Sequence, residues 1–184
     1  MAALIRAAPE TQFKQFNQPA ERQEKRNTME ITKPTHEQAQ LHLQVYDLRR
    51  EARLRQARDW FQQHYIVETI DDAMRIAAPG TETGGFAGMV IGYWEQACAL
   101  LNYGLLHEEL FFETSGEFFG VWESLKPVIP QFRERFADKN LLANLEQAAQ
   151  RYETWSERRS PGHVAAMREF MQQQRTKIKA ASSD

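Results

Sequence analysis

A chain of 184 residues that is 42% hydrophobic and 11% aromatic is long and apolar enough to bury a core in one domain. Its lone cysteine, Cys98, excludes an internal disulfide and fits a reducing, cytoplasmic setting. Nine glycines and seven prolines, several of them between periodic segments, favour helices over a sandwich or barrel.

The net charge of −2 hides a segregation. Residues 1–60 hold eleven basic and eight acidic side chains, residues 61–125 one and ten, and residues 126–184 eleven and seven. An acidic middle between two basic ends is either satisfied within the fold or steers different partners to different faces.

Residues 1–33 read as a flexible tail, polar and without sustained period, with Phe13 and Phe16 as local anchors. No secretory signal is expected from "MAALIRAAPE", whose short apolar patch Arg6 interrupts. Met29 is an alternative start just before the first helix. The spacing then predicts one domain of six or seven helices over residues 34–180.

Thr35 and Gln38 form a capping-box pattern. Leu41, Val45, Leu48 and Ala52 make one stripe, and Leu54, Ala57, Phe61 and Tyr65 continue it on a shifted face. That handover predicts a bend near residue 53 or contacts with two neighbours. A short helix follows Thr69, with Asp71 and Asp72 in its first turn and Pro79-Gly80 as its stop. The segment from Thr83 to Tyr103 is apolar nearly all round and reads as the buried centre, closed by Gly104 as a C-cap glycine. Glu95, in its middle, would cost roughly 2.5–3.5 kcal/mol in a bilayer. A buried helix is therefore the stronger reading, and membrane association the weaker one. Gly84, Gly88 and Gly92, four apart, mark either a close helix contact or merely the beginning of this helix.

"LLHEELFFE" and "SGEFFGVWESL" predict two short helices, the second capped by Ser115. A further helix is expected around Pro127 and Pro130, and an amphipathic one over "NLLANLEQAAQRYETW". Ser160-Pro161 predicts the start of the last helix, whose stripe is Val164, Met167, Met171 and Ile178. Arg175 suits its C-terminus. Trp94-Glu95 and Trp122-Glu123 form the clearest near-repeat. Expected core residues are Trp60, Tyr93, Trp94, Leu101, Phe112, Phe118, Trp122 and Leu125.

The chemical motifs are sparse. His107 with Glu108, Glu109, Glu113 and Glu117 is rich in ligands, yet position 111 is Phe, so HExxH fails, and no Glu-x-x-His pair exists. Acids at a helix start with a neighbouring histidine cap are the simpler reading. "PGTETGG" lacks the Lys-Ser/Thr end of a phosphate loop, and Cys98 has no base beside it. The pointed charged feature is "DLRREARLRQARD", in which Arg49, Arg50, Arg53, Arg55 and Arg58 fall within ten residues. A solvated, partly paired helix face is the main reading, and contact with nucleic acid or phosphate over residues 47–59 the alternative.

Residues 52–137 also carry an ordered pattern: "ARDWF", a short acidic helix, "YWEQACALLNYG", "LLHEELFF" and "FFGVWESLKPVI". Through Gly104, Leu105, Leu106, His107, Glu108, Trp122, Leu125 and Pro127 this resembles a bacterial family of small helical domains of unknown function. The resemblance implies a helical fold, brings no catalytic residues, and includes members anchored by an N-terminal membrane helix; no such span is expected from this sequence.

The function expected is an interaction or scaffold module, with a protein partner or self-association through Leu41, Val45, Leu48, Met167, Met171 and the arginines 49 to 58. The alternatives are a nucleic-acid- or phosphate-binding regulator and an enzyme using His107 or carboxylates. Neither a cofactor nor a metal is expected.

Overall fold

The computed structural model describes residues 33–181. The expected tail, with Phe13, Phe16 and the alternative start at Met29, lies outside the described residues except for Lys33. Among those residues nine helices and no strand are present: α1 (His36–Arg49), α2 (Ala52–His64), α3 (Ile70–Ile76), α4 (Glu82–Asn102), α5 (Glu108–Thr114), α6 (Glu117–Leu125), α7 (Ile129–Arg135), α8 (Ala143–Arg159) and α9 (His163–Ala181). The fold is all-α and compact.

The count exceeds six or seven in part because the Thr35–Tyr65 segment is two helices. Its apolar stripe changes face, and the chain breaks at Arg50 and Glu51 rather than bending at 53. Glu51 leaves helical geometry at φ −54°, ψ 138°, and its carboxylate accepts from the Leu54 N–H at 2.8 Å, so it caps α2.

Local chemistry sets several other boundaries. Thr35 and Gln38 form the complete capping box of α1, and Thr69 and Asp72 that of α3. Thr81 caps α4, two residues before the expected start. At the far end of α4, Gly104 has φ +73°, the Gly104 N–H bonds the Leu101 carbonyl at 2.9 Å, and the Leu105 N–H bonds the Leu100 carbonyl at 3.0 Å. This is a Schellman closure, and it needs a residue tolerant of the left-handed region.

Two expected caps differ. Ser115 ends α5, and Gly116 begins α6 without a side-chain cap. Ser160 ends α8, and α9 starts only at His163, after Gly162 at φ +84°. There Glu157 accepts from the Gly162 and Val164 N–H groups at 2.8 and 3.1 Å, which makes a serine cap redundant.

Helix α4 is the centre, packed chiefly on α2 and α8, while α6 closes on α8. Trp94, Leu101, Phe112, Phe118, Trp122 and Leu125 are buried, whereas Trp60 and Tyr93 lie half-buried at the edge. Each fully buried Leu or Phe contributes roughly 1.5–3 kcal/mol relative to exposure. No helix of the described residues is long and apolar enough to cross a membrane.

The charge segregation closes on itself. Acids of the middle segment meet arginines from both ends: Glu117 with Arg49 and Arg58, Glu108 with Arg151, Glu113 with Arg159, and Glu123 with Arg168. Most are partly exposed pairs worth at most about 1 kcal/mol each.

Candidate functional site: a groove between helices α2, α6 and α9

The apolar stripe of α9 does not bury completely. Val164 is covered, but Met167 and Met171 line a groove of about 540 Å³ whose other walls are Phe61 on α2, Tyr65 just after it and Val121 on α6. Phe170 stands 60% exposed at its rim. Gly120 of α6 lies in its wall beside open space: a Cβ added there would meet nothing within 4 Å. The volume falls within the roughly 300–1,000 Å³ of ligand pockets, and a mostly apolar lining with few polar groups is their usual composition.

Polar groups gather at two points. Glu117 accepts from Arg58 Nε at 2.7 Å, from Arg58 Nη2 and from Arg49 Nη2. Burial pushes its carboxyl pKa up, but the two guanidiniums outweigh burial and hold it below the ordinary carboxylate range. Near the other end, Arg175 donates through Nη2 to Ser124 Oγ at 3.0 Å and to the Glu123 carbonyl at 3.3 Å. Ser124 Oγ in turn donates to the Gly120 carbonyl at 3.0 Å. Burial pulls the Arg175 pKa below the usual arginine range.

The residues expected to form a contact surface scatter. Met167 and Met171 share the groove. Leu41 packs against the core, and Leu48 is 58% exposed on α1. Val45 is buried, with its carbonyl accepting from the Tyr93 hydroxyl at 2.8 Å, so it presents nothing to a partner. The five arginines do not share a face. Arg49 and Arg58 turn inward onto Glu117. Arg53 lies over the Phe86 ring at 4.6 Å and bonds Glu82 at 2.7 Å. Arg50 and Arg55 remain exposed.

The stretch richest in acids resolves into structural roles. His107 is the N-cap of α5, with Nδ1 accepting from the Leu110 N–H at 3.3 Å. Glu109 accepts from Trp155 Nε1 at 2.8 Å, and Glu113 from Arg159 at 2.7 Å. Among the described residues no three His, Cys, Asp or Glu side chains converge as metal ligands. Cys98 is fully buried, and burial pushes its thiol pKa far up, which suppresses the nucleophilic thiolate.

Sequence reasoning missed Gly120 and Ser124, and gave Arg175 only a helix-end role. Arg175 did carry a signal: it follows Met167 and Met171 at successive steps of four, a cation in phase with an apolar stripe.

Fold and groove define a small all-α domain with a surface depression lined mostly by apolar side chains. The chain belongs to a family described as a domain of unknown function (DUF4760), whose model matches residues 34–152. The match runs from just before α1 into α8, so α9, one wall of the groove, lies beyond it. No curated protein and no solved structure matches the chain.

Proposed function

We propose that the domain is an interaction module, binding rather than catalytic, whose working surface is the groove between α2, α6 and α9. The observation that carries this reading is the conjunction at Gly120: a glycine inside α6, beside open space, facing two methionines across an apolar depression. A helix-interior glycine is about 1 kcal/mol less favourable than alanine, and here no neighbour requires the small residue. Keeping the groove open accounts for it. Unbranched methionines on the opposite wall adapt to varied apolar surfaces.

The test is partner capture by the full chain, with two variants read in parallel. Gly120→Leu fills the groove without removing any contact and is expected to abolish capture. Leu48→Asp, on the exposed face of α1, is expected to leave it intact. Capture that survives Gly120→Leu and fails with Leu48→Asp would move the surface to α1 and defeat this reading.

A further inference from the structure

The groove holds one guanidinium whose charge no carboxylate answers. Arg49, Arg58, Arg133, Arg151 and Arg168 are half-buried, and each reaches a carboxylate. Arg175 is half-buried too, yet among the described residues no carboxylate lies within ion-pair distance of it. Its Nη2 is used by a carbonyl and a hydroxyl, while Nε and Nη1 donate to no atom of the described residues. Glu123 and Glu68 attract it only from further away and are themselves bound to Arg168 and Lys179. The free Nε and Nη1 N–H groups reach solvent, so an anion entering the groove can pair with the guanidinium without displacing a protein partner.

The carboxylate in the wall is already neutralised. Glu117 is the carboxylate lining the groove, and with two arginines upon it that cluster carries a net positive charge. The groove is thus apolar along most of its length, and Arg175 is the charged lining side chain left without an ion pair among the described residues. Gln62 and Gln174 add two amides, both lining it and neither bonded to another described residue. Side-chain amides both donate and accept, which suits a peptide backbone and does nothing for an alkyl chain.

Resting on the groove as the working surface, we infer that its occupant is the C-terminal end of a partner polypeptide: apolar last side chains lie against Phe61, Val121 and Met171, and the terminal carboxylate pairs with Arg175. The mode is capture of a chain-terminal carboxylate, with apolar pockets supplying selectivity for the side chains. A charge-assisted bond to a partly desolvated guanidinium is the strongest single contact available there.

Fluorescence polarisation on the full chain tests this with fluorescein-labelled hexapeptides whose last three positions are drawn from Leu, Ile, Phe and Met. Each is made with a free C-terminus and again as the C-terminal amide. Free-carboxylate peptides are expected to bind about tenfold tighter or more, the scale of one charged hydrogen bond. That preference is expected to collapse in Arg175→Gln and to persist in Arg175→Lys, with all binding lost in Gly120→Leu. Equal binding of acid and amide, still sensitive to Gly120→Leu, overturns the carboxylate inference and leaves the groove reading standing. Binding indifferent to Gly120→Leu overturns both. Sodium dodecanoate bound through Arg175, with no peptide bound, replaces the peptide by an acyl carboxylate and overturns the inference as stated. Should Arg175→Gln lower the unfolding midpoint, the acid-versus-amide comparison on the unaltered chain decides alone.

Discussion

Glu95, in the middle of α4, caps a helix 50 residues away: its Oε2 accepts from the Leu145 main-chain N–H at 2.8 Å. Its Oε1 takes the Asn144 N–H at 3.2 Å and the Asn144 side-chain amide at 2.8 Å. Helix α8 needs this help because its own N-cap, Leu142, sits in the left-handed region at φ 58° and offers no side-chain acceptor. Asn102, about two turns further along the same face of α4, donates to the Asn144 carbonyl at 3.1 Å and accepts from Arg151 at 2.8 Å. Two polar residues that interrupt an otherwise apolar helix are thus the groups that dock α8.

Glu95→Ala removes both acceptors and leaves two amide groups of a helix N-terminus without partners. The expected loss is about 2 kcal/mol, at the upper end for an N-cap. For a domain of this size that lowers Tm by roughly 4–8 °C. Thermal and urea unfolding followed by circular dichroism measure it. An unchanged midpoint would show that water replaces Glu95 at no cost.

Glu117 supplies the pH dependence. Its carboxyl pKa is depressed in the folded chain, so its contribution is fully present above the unfolded-state value, near 4.3. That contribution fades as pH falls through the lower folded value. The native protein is therefore expected to lose stability steadily below about pH 4.5. Glu117→Gln is expected to be less stable at pH 7, by about 3 kcal/mol, because two half-buried guanidiniums lose their counter-charge. Its stability should also fall less steeply on acidification. Parallel pH profiles for the two proteins would defeat the assignment. Asp72, held down to about 2 first by Arg75 and then by Thr69, titrates in the same direction but on the exposed surface.

Trp122 tests the core. It is buried on α6, and Trp122→Ala is expected to cost about 3–5 kcal/mol through lost contacts and the cavity left behind. Unchanged thermal unfolding would remove it from the core.

How much of this was legible follows from how far each signal reaches. Thr35, Thr69 and Gly104 act within four or five residues, and their caps stand where the pattern put them. The start of α9 was misplaced because Glu157, not Ser160, holds it. The start of α8 was placed too early, since Glu95 caps it from 50 residues upstream. The arginines of α1 and α2 read as a solvated, partly paired face, and partial pairing is what stands; that Arg58 and Arg49 converge on one carboxylate was not legible, because Glu117 lies 59 and 68 residues away. The methionine stripe of α9 was visible, but no periodicity could show that α6 supplies the other wall of a groove, with Gly120 beside open space. The two Trp-Glu pairs gain a shared role only in three dimensions: Glu95 holds α8 and Glu123 holds Arg168 of α9.

The three glycines at steps of four separate into two kinds, and substitution distinguishes them. At Gly84 an added Cβ would sit 2.1 Å from the Ala78 carbonyl oxygen, a clash with main chain that only a backbone shift relieves. Gly84→Ala is expected to destabilise the fold by about 1–3 kcal/mol, the cost of overpacking. At Gly88 an added Cβ meets nothing, and the position is exposed. Gly88→Ala is expected to stabilise by up to about 1 kcal/mol, the helix-propensity difference. Opposite signs for two glycines one turn apart, read by urea unfolding, confirm that the first is a packing requirement within the chain. Destabilisation at both would mean that the Gly88 face is covered in solution, and analytical ultracentrifugation of the two variants would then show whether a second copy covers it.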